Sequence, residues 1–404
     1  MNAFTRLLTL FLALFVCIAC TRSPDSPGTQ SPTETTAATQ PGEINPTEPL
    51  RSPGTAPTQP ALIASGSLSP ALQMNAARAA HTATLLPDGK VLIAGGFREE
   101  GTSEISIASA EIYDPESNSF LPTGDMNEVR SGHTATLLPN GLVLIVGGWG
   151  VNGRNETAEL YDPQTGEFRD AANMMGPRAG MTATLLETGQ VLIAGGESAN
   201  NSPQLIAEIF EPSTNTFEAA GSLNQGRSAH TATLLNDGNV LLVGGNSKDN
   251  SVLETAEIYN LSTGEFTYTG DLNRIRYKHA AVLLQNGDVL VIGGSNQEDW
   301  SGKYTSAEVY DASTGTFREI AGLNAERFKL AEAAVLLQDG NVLVGGGNRQ
   351  LEIFDAQNGR FILGGRLDND YYFSVLTLLL DGRVLITGGY DASIQPSDRA
   401  WIYN

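Results

Sequence analysis

The chain has 404 residues, 41% of them hydrophobic and 17% charged, with 44 glycines and a formal charge of -21. This is a globular composition, long enough for one large domain or two to three average ones. So acidic a balance, with no cluster of Lys and Arg, excludes nucleic-acid binding and adsorption to an anionic membrane surface.

The first elements are targeting signals. Arg6 precedes the apolar run Leu7 to Ile18, which is too short to cross a bilayer and reads as a signal peptide over residues 1–19. The run ends in "VCIAC", which resembles a bacterial lipobox and marks Cys20 as the lipidated residue; Cys17 departs from the usual Leu. Residues 20–60 hold nine prolines and almost no large apolar side chain, the composition of a disordered stalk. The expected localisation is therefore extracytoplasmic, with a bacterial membrane reached through the lipid anchor only.

Residues 61–404 are repeats. Seven double glycines, at Gly95-Gly96, Gly147-Gly148, Gly195-Gly196, Gly244-Gly245, Gly293-Gly294, Gly346-Gly347 and Gly388-Gly389, recur at spacings of 52, 48, 49, 49, 53 and 42 residues. Each unit runs in one order: an Arg, a small-residue strand such as "TATLL", a turn such as "PDG", an apolar strand ending in Gly-Gly, a variable loop, "AEIY", a second turn, and a strand anchored by Phe. Four short strands per period of about 50 residues predict an all-β, seven-bladed β-propeller, six blades being the alternative count. The chain stops on the third strand of the last unit. The segment "LIASGSL", from Leu62 to Leu68, aligns with "FEAAGSL" and is expected to supply the missing outer strand, with Leu62 in the aromatic position.

The double glycine after an apolar strand, followed by "EIYDP" and an aromatic, resembles the kelch repeat over residues 62–404. The resemblance implies a galactose oxidase-like propeller fold. Some members of that fold are copper radical oxidases, which need a cysteine–tyrosine thioether. No cysteine follows Cys20 here, so that activity is disfavoured and no cofactor is expected.

Three sets of residues stand out. Arg78, Arg130, Arg178, Arg227, Arg276 and Arg327 fill one slot, and Glu111, Glu159, Glu208, Glu257, Glu308 and Glu352 fill another. In the seventh unit Tyr371 and Trp401 replace both together, which predicts that the slots touch as a structural ion pair, with contact between adjacent blades as one arrangement. His81, His133, His230 and His279 share a third slot, with Met181, Glu332 and Ser374 in the other units. A slot so interrupted reads as architecture, and no metal site is assigned to it.

The turns face one way and are uniform, whereas the loops after Gly-Gly and between blades face the other way and vary. Variable loops on a rigid scaffold are where binding usually resides. That face carries Phe97, Arg98, Trp149, Arg154, Trp300, Tyr304, Arg349, Tyr371, Tyr372 and Tyr390, residue types suited to interface hot spots. The expected function is a monomeric binding module for a protein or a glycan, with an enzyme using a non-copper site at the pore, or a structural envelope spacer, as alternatives.

Overall fold

The computed structural model describes residues 66–404 apart from residues 71, 72 and 102, so the signal peptide, Cys20 and the stalk lie outside the described residues. Seven four-stranded antiparallel sheets follow one another along the chain. Their inner strands, beginning with Thr82–Leu85 and ending with Val375–Leu378, each contact the next, and the last returns to the first. The result is a closed seven-bladed propeller. Among the described residues every regular element is a strand, and two small hairpins (Phe97–Glu100 with Ser103–Ser106, and Trp149–Gly150 with Gly153–Arg154) rise from the variable loops.

Sandwiching explains the apolar second strands. In Val91–Ala94, Val91 and Ile93 pack toward blade 7 with Leu385 and Ile402, while Leu92 and Ala94 pack toward blade 2 with Val143 and Ile145. A strand alternates its side chains between two faces, so a strand with a neighbouring blade on each side must be apolar throughout. Seven apolar clusters of this kind fill the seven junctions between blades. At the outer end of six blades a Tyr or Phe meets the repeated Phe, as Tyr113 meets Phe120 with ring centroids 5.0 Å apart.

The closing strand is Leu68–Pro70, paired with Ala400–Tyr403. Its register corrects the sequence alignment by six residues. Leu68 lies opposite Tyr403, as Phe217 lies opposite Phe210, so Leu68 and not Leu62 takes the aromatic position. The reason is a fixed distance along the chain. The aromatic position precedes the Arg by ten residues in Phe217 to Arg227, and Leu68 to Arg78 repeats that spacing.

The Arg and Glu slots meet in all six blades that have them, with both partners at most 2% exposed. Each pair lies within one repeat rather than between blades. Arg227 Nη2 donates to Glu257 at 2.7 Å, and its Nη1 donates to the carbonyls of Gly244 and Thr255 at 2.6 and 3.0 Å. The second carboxylate oxygen accepts from the main chain and side chain of Asn224, in the linker arriving from blade 3. The Arg carbonyl in turn accepts from the preceding blade: Gly196 N donates to Arg227 O at 2.9 Å. A Cβ on Gly195 would lie 2.3 Å from that same carbonyl, and Gly195 holds a φ of +62°, so the junction admits only glycine. In blade 7 the slot holds an aromatic pair, Tyr371 and Trp401, with centroids 5.1 Å apart.

Removing the charge of one partner leaves the other buried and uncompensated. Glu257→Gln is expected to lower unfolding free energy by about 3–5 kcal/mol, read by urea denaturation; an unchanged midpoint would refute the assigned role of the pair.

Candidate functional site

The histidine slot lies at the blade junctions. His81 Nε2 is 2.9 Å from Thr387 Oγ1 of blade 7, His133 Nε2 is 3.1 Å from Thr82 Oγ1, His230 Nε2 is 3.1 Å from Thr182 Oγ1, and His279 Nε2 is 2.9 Å from Thr231 Oγ1. Each imidazole reaches back one blade and lies over that blade's first glycine. Met181 makes the same approach to Gly147 in blade 3. In blade 6 the slot belongs to Leu330, which approaches Gly293; Glu332, which the sequence alignment places there, is displaced by two extra residues. Glu332 is reached by solvent, holds a φ of 59°, and has its carboxyl raised to about 7 because the protein around it desolvates the charge.

Two residues after the Arg position, held by Tyr371 in blade 7, the chain passes through a left-handed conformation in every blade. The residues are Ala80, Gly132, Gly180, Ala229, Lys278, Lys329 and Phe373, with φ between 50° and 65°. That conformation lets the backbone bond to the previous blade, as Ala229 N donates to Gly180 O at 2.9 Å and Lys278 N to Ala229 O at 2.9 Å. Blades 1 to 4 use Ala or Gly, which suits a crowded ring around the axis. Blades 5, 6 and 7 instead place large side chains there, at about 1–2 kcal/mol each for a non-glycine residue in this conformation.

These three departures build one cluster at the channel mouth on the variable face. Blade 6 has almost no loop after its glycines, only 348–349, and the gap is filled from both sides. Trp300 arrives from the blade 5 loop, Tyr390 from the blade 7 loop, and Phe97 from blade 1, forming an apolar group with Phe328, Tyr372 and Phe373 that lies outside the repeat's own core. Trp300 meets Phe328 and Tyr372 edge-on, with centroids 4.9 and 4.8 Å apart.

Lys329 lies in the middle of this group. Its Nζ donates to Tyr390 Oη at 2.6 Å and stands 4.2 Å from the Trp300 ring, 4.8 Å from Phe328 and 5.3 Å from Tyr390. Burial, aided by the nearby Lys278 charge, lowers its amine to about 6, while Asp299 and Glu104 pull the other way. Lys278 donates to Asp299 at 3.0 Å, and burial lowers its amine to about 8 despite that partner. Tyr277 Oη donates to the same carboxylate at 2.8 Å.

The face residues expected from sequence divide into three groups. Arg98 and Arg349 are exposed, and Phe97, Trp149, Arg154, Trp300 and Tyr304 are half-buried. The Arg154 guanidinium stacks on Trp149 at 4.1 Å and pairs with Glu197 of the next blade's loop. Tyr371, Tyr372 and Tyr390 are buried, at 5%, 4% and 3% exposure, and so are not surface anchors. Tyr371 packs on Trp401 in the vacated ion-pair slot, and the other two belong to the cluster around Lys329. Phe328, Lys329, Phe373, Lys278 and Asp299 escaped the sequence reading; the signal was the loss of Ala or Gly from one slot in three successive repeats.

Among the described residues no group of three His, Cys, Asp or Glu side chains could hold a metal ion. The four histidines belong to four different blades, each engaged with a threonine of the preceding blade.

Kelch motif models match residues 78–127, 130–175 and 276–324. Among solved structures, a copper-bound fungal alcohol oxidase of the AA5 family aligns with a TM-score of 0.67 at 16% identity, over 84% of this chain and 76% of its own. The structure of YjhT aligns with a TM-score of 0.53 at 15% identity, over 67% of this chain and 93% of its own. At such identities the likeness is one of fold alone. No curated protein matches in sequence.

Burial holds the four histidines well below their ordinary range, His133 and His230 to about 3. Below about pH 6.5 the unfolded chain therefore binds protons that the folded chain does not, and each histidine costs about 1.4 kcal/mol of stability per pH unit as pH falls. His133→Met, which copies blade 3, is expected to reduce the fall in unfolding free energy between pH 6.5 and 5. An unaltered slope in denaturation at the two pH values would contradict this.

Proposed function

The chain carries kelch repeats on a seven-bladed β-propeller, and from that premise we propose that it is a lipid-anchored extracytoplasmic binding module for a protein partner. One observation carries the reading: departures from the repeat collect on the variable-loop face, while the opposite face stays uniform. Trp149 and Trp300 sit on that face half-buried, held by Arg154 and by the Lys329 cluster. Arg98 and Arg349, in other loops after the double glycines, are exposed. Pre-ordered aromatics and exposed arginines are residue types that dominate protein association, and ordered side chains lose little entropy on binding. The lipid anchor at Cys20 rests on the "VCIAC" motif and would tether this face to a membrane through the stalk.

Photocrosslinking in cells tests the face. A photoreactive residue at position 349 is expected to trap a discrete partner, and Trp149→Ala with Arg98→Ala should reduce the yield at least tenfold without shifting the melting temperature. The same photoreactive residue at position 90, on the opposite face, should trap nothing. Crosslinks from position 90 alone would overturn the assignment. Cys20→Ser is expected to move the protein from the membrane to the soluble fraction.

A further inference from the structure

The chain uses 19 arginines but only five lysines: Lys90, Lys248, Lys278, Lys303 and Lys329. Three of the five converge on the channel mouth. Lys329 is enclosed by the aromatic cluster, Lys278 is on the adjacent blade with Asp299, and Lys303 Nζ is 5.8 Å from the Phe328 ring. Arginine would serve better for stacking on aromatics or for a fixed ion pair. Lysine differs in that its amine can lose a proton and become a nucleophile.

We propose that Lys329 is a nucleophilic amine that forms an imine with a small aldehyde or ketone entering the channel mouth. Three features of the site serve that chemistry. Aromatic rings at 4.2–5.9 Å exclude water from Nζ, and the neighbouring Lys278 charge adds to the cost of protonating it. Desolvation beside a second cation is a recognised way to activate a lysine. Burial and the Lys278 charge both favour the neutral, nucleophilic amine. Tyr390 Oη accepts a hydrogen bond from Nζ at 2.6 Å and keeps its own proton because burial raises its pKa, so it is placed to relay a proton without becoming a free phenolate.

The step balances as follows. The Nζ lone pair attacks the carbonyl carbon, and the C=O π electrons move to oxygen, which takes up the proton released by nitrogen to give a carbinolamine. Tyr390 then relays a proton: its O–H proton passes to the departing hydroxyl, which leaves as water, while its oxygen takes the remaining N–H proton and the nitrogen lone pair forms the C=N bond. Amine and carbonyl thus give imine and one water, with no redox change.

Lys329 is fully buried, so a reactant must pass Trp300 and Phe97, both half-buried. That restricts the class to compounds of a few carbon atoms. The proposal does not rest on the binding reading above, and its test involves no partner protein.

The experiment is reductive trapping of the intact protein at pH 7 with cyanoborohydride, using glyoxylate and acetaldehyde as probes, followed by peptide mass mapping. Lys329 is expected to be modified at least tenfold faster than Lys90, whose side chain is 41% exposed, in spite of its own burial. Trp300→Ala should speed that modification and admit benzaldehyde. Lys329→Met, which retains an apolar filling of the cluster, should lose the fast phase while Lys90 still reacts. Tyr390→Phe should slow trapping at Lys329 and leave Lys90 unchanged. Modification of Lys90 and Lys248 without Lys329 would overturn the proposal, as would a fast phase surviving Lys329→Met.

Discussion

The fold depends on one buried arginine in each of six blades, used in two directions. Its carbonyl accepts the amide of the preceding blade's second glycine, and its guanidinium holds its own blade's first glycine carbonyl and the Glu of the third strand. The Glu in turn fixes the linker that arrives from the previous blade. A buried charge is costly unless fully engaged, and here the donors and acceptors needed to engage it are backbone groups at the blade boundary. The same arrangement explains the double glycine, whose first member cannot carry a side chain against the arginine carbonyl. The histidine–threonine contacts add a second tie at each junction where they occur.

Blade 7 shows what can replace this arrangement. Tyr371 and Trp401 fill the slot with apolar volume, and Gly347 still donates to the Tyr371 carbonyl at 2.6 Å. The backbone contact between blades is therefore kept while the side-chain chemistry is exchanged. Replacing a buried ion pair by well-packed apolar side chains of similar size is often energetically neutral.

Much of the architecture was legible because a ring needs like wedges and so repeats its sequence. The blade count, the strand order, the ring closure and the meeting of the Arg and Glu slots all follow from period and position. The closing strand was misplaced by six residues because "GSL" was matched by appearance, whereas the ten-residue interval from aromatic to Arg carries the register. Lys278, Lys329 and Phe373 were missed for a different reason. Each looks like ordinary variation within its own repeat, and its significance lies in contacts with Trp300 and Tyr390, which come from other blades. Periodicity reports what blades share, not what they assemble between them.

The closing strand also sets how the molecule bears mechanical load. Leu68–Pro70 is both the outer strand of blade 7 and the covalent route to everything upstream. A pull on the N-terminal segment reaches the propeller first at this short antiparallel pairing with Ala400–Tyr403, ahead of any ion pair or histidine tie. The ring would therefore yield at one defined seam, with the other six blades remaining complete within themselves. Load applied along the N-terminal segment would thus act on a single three-residue pairing that closes the ring.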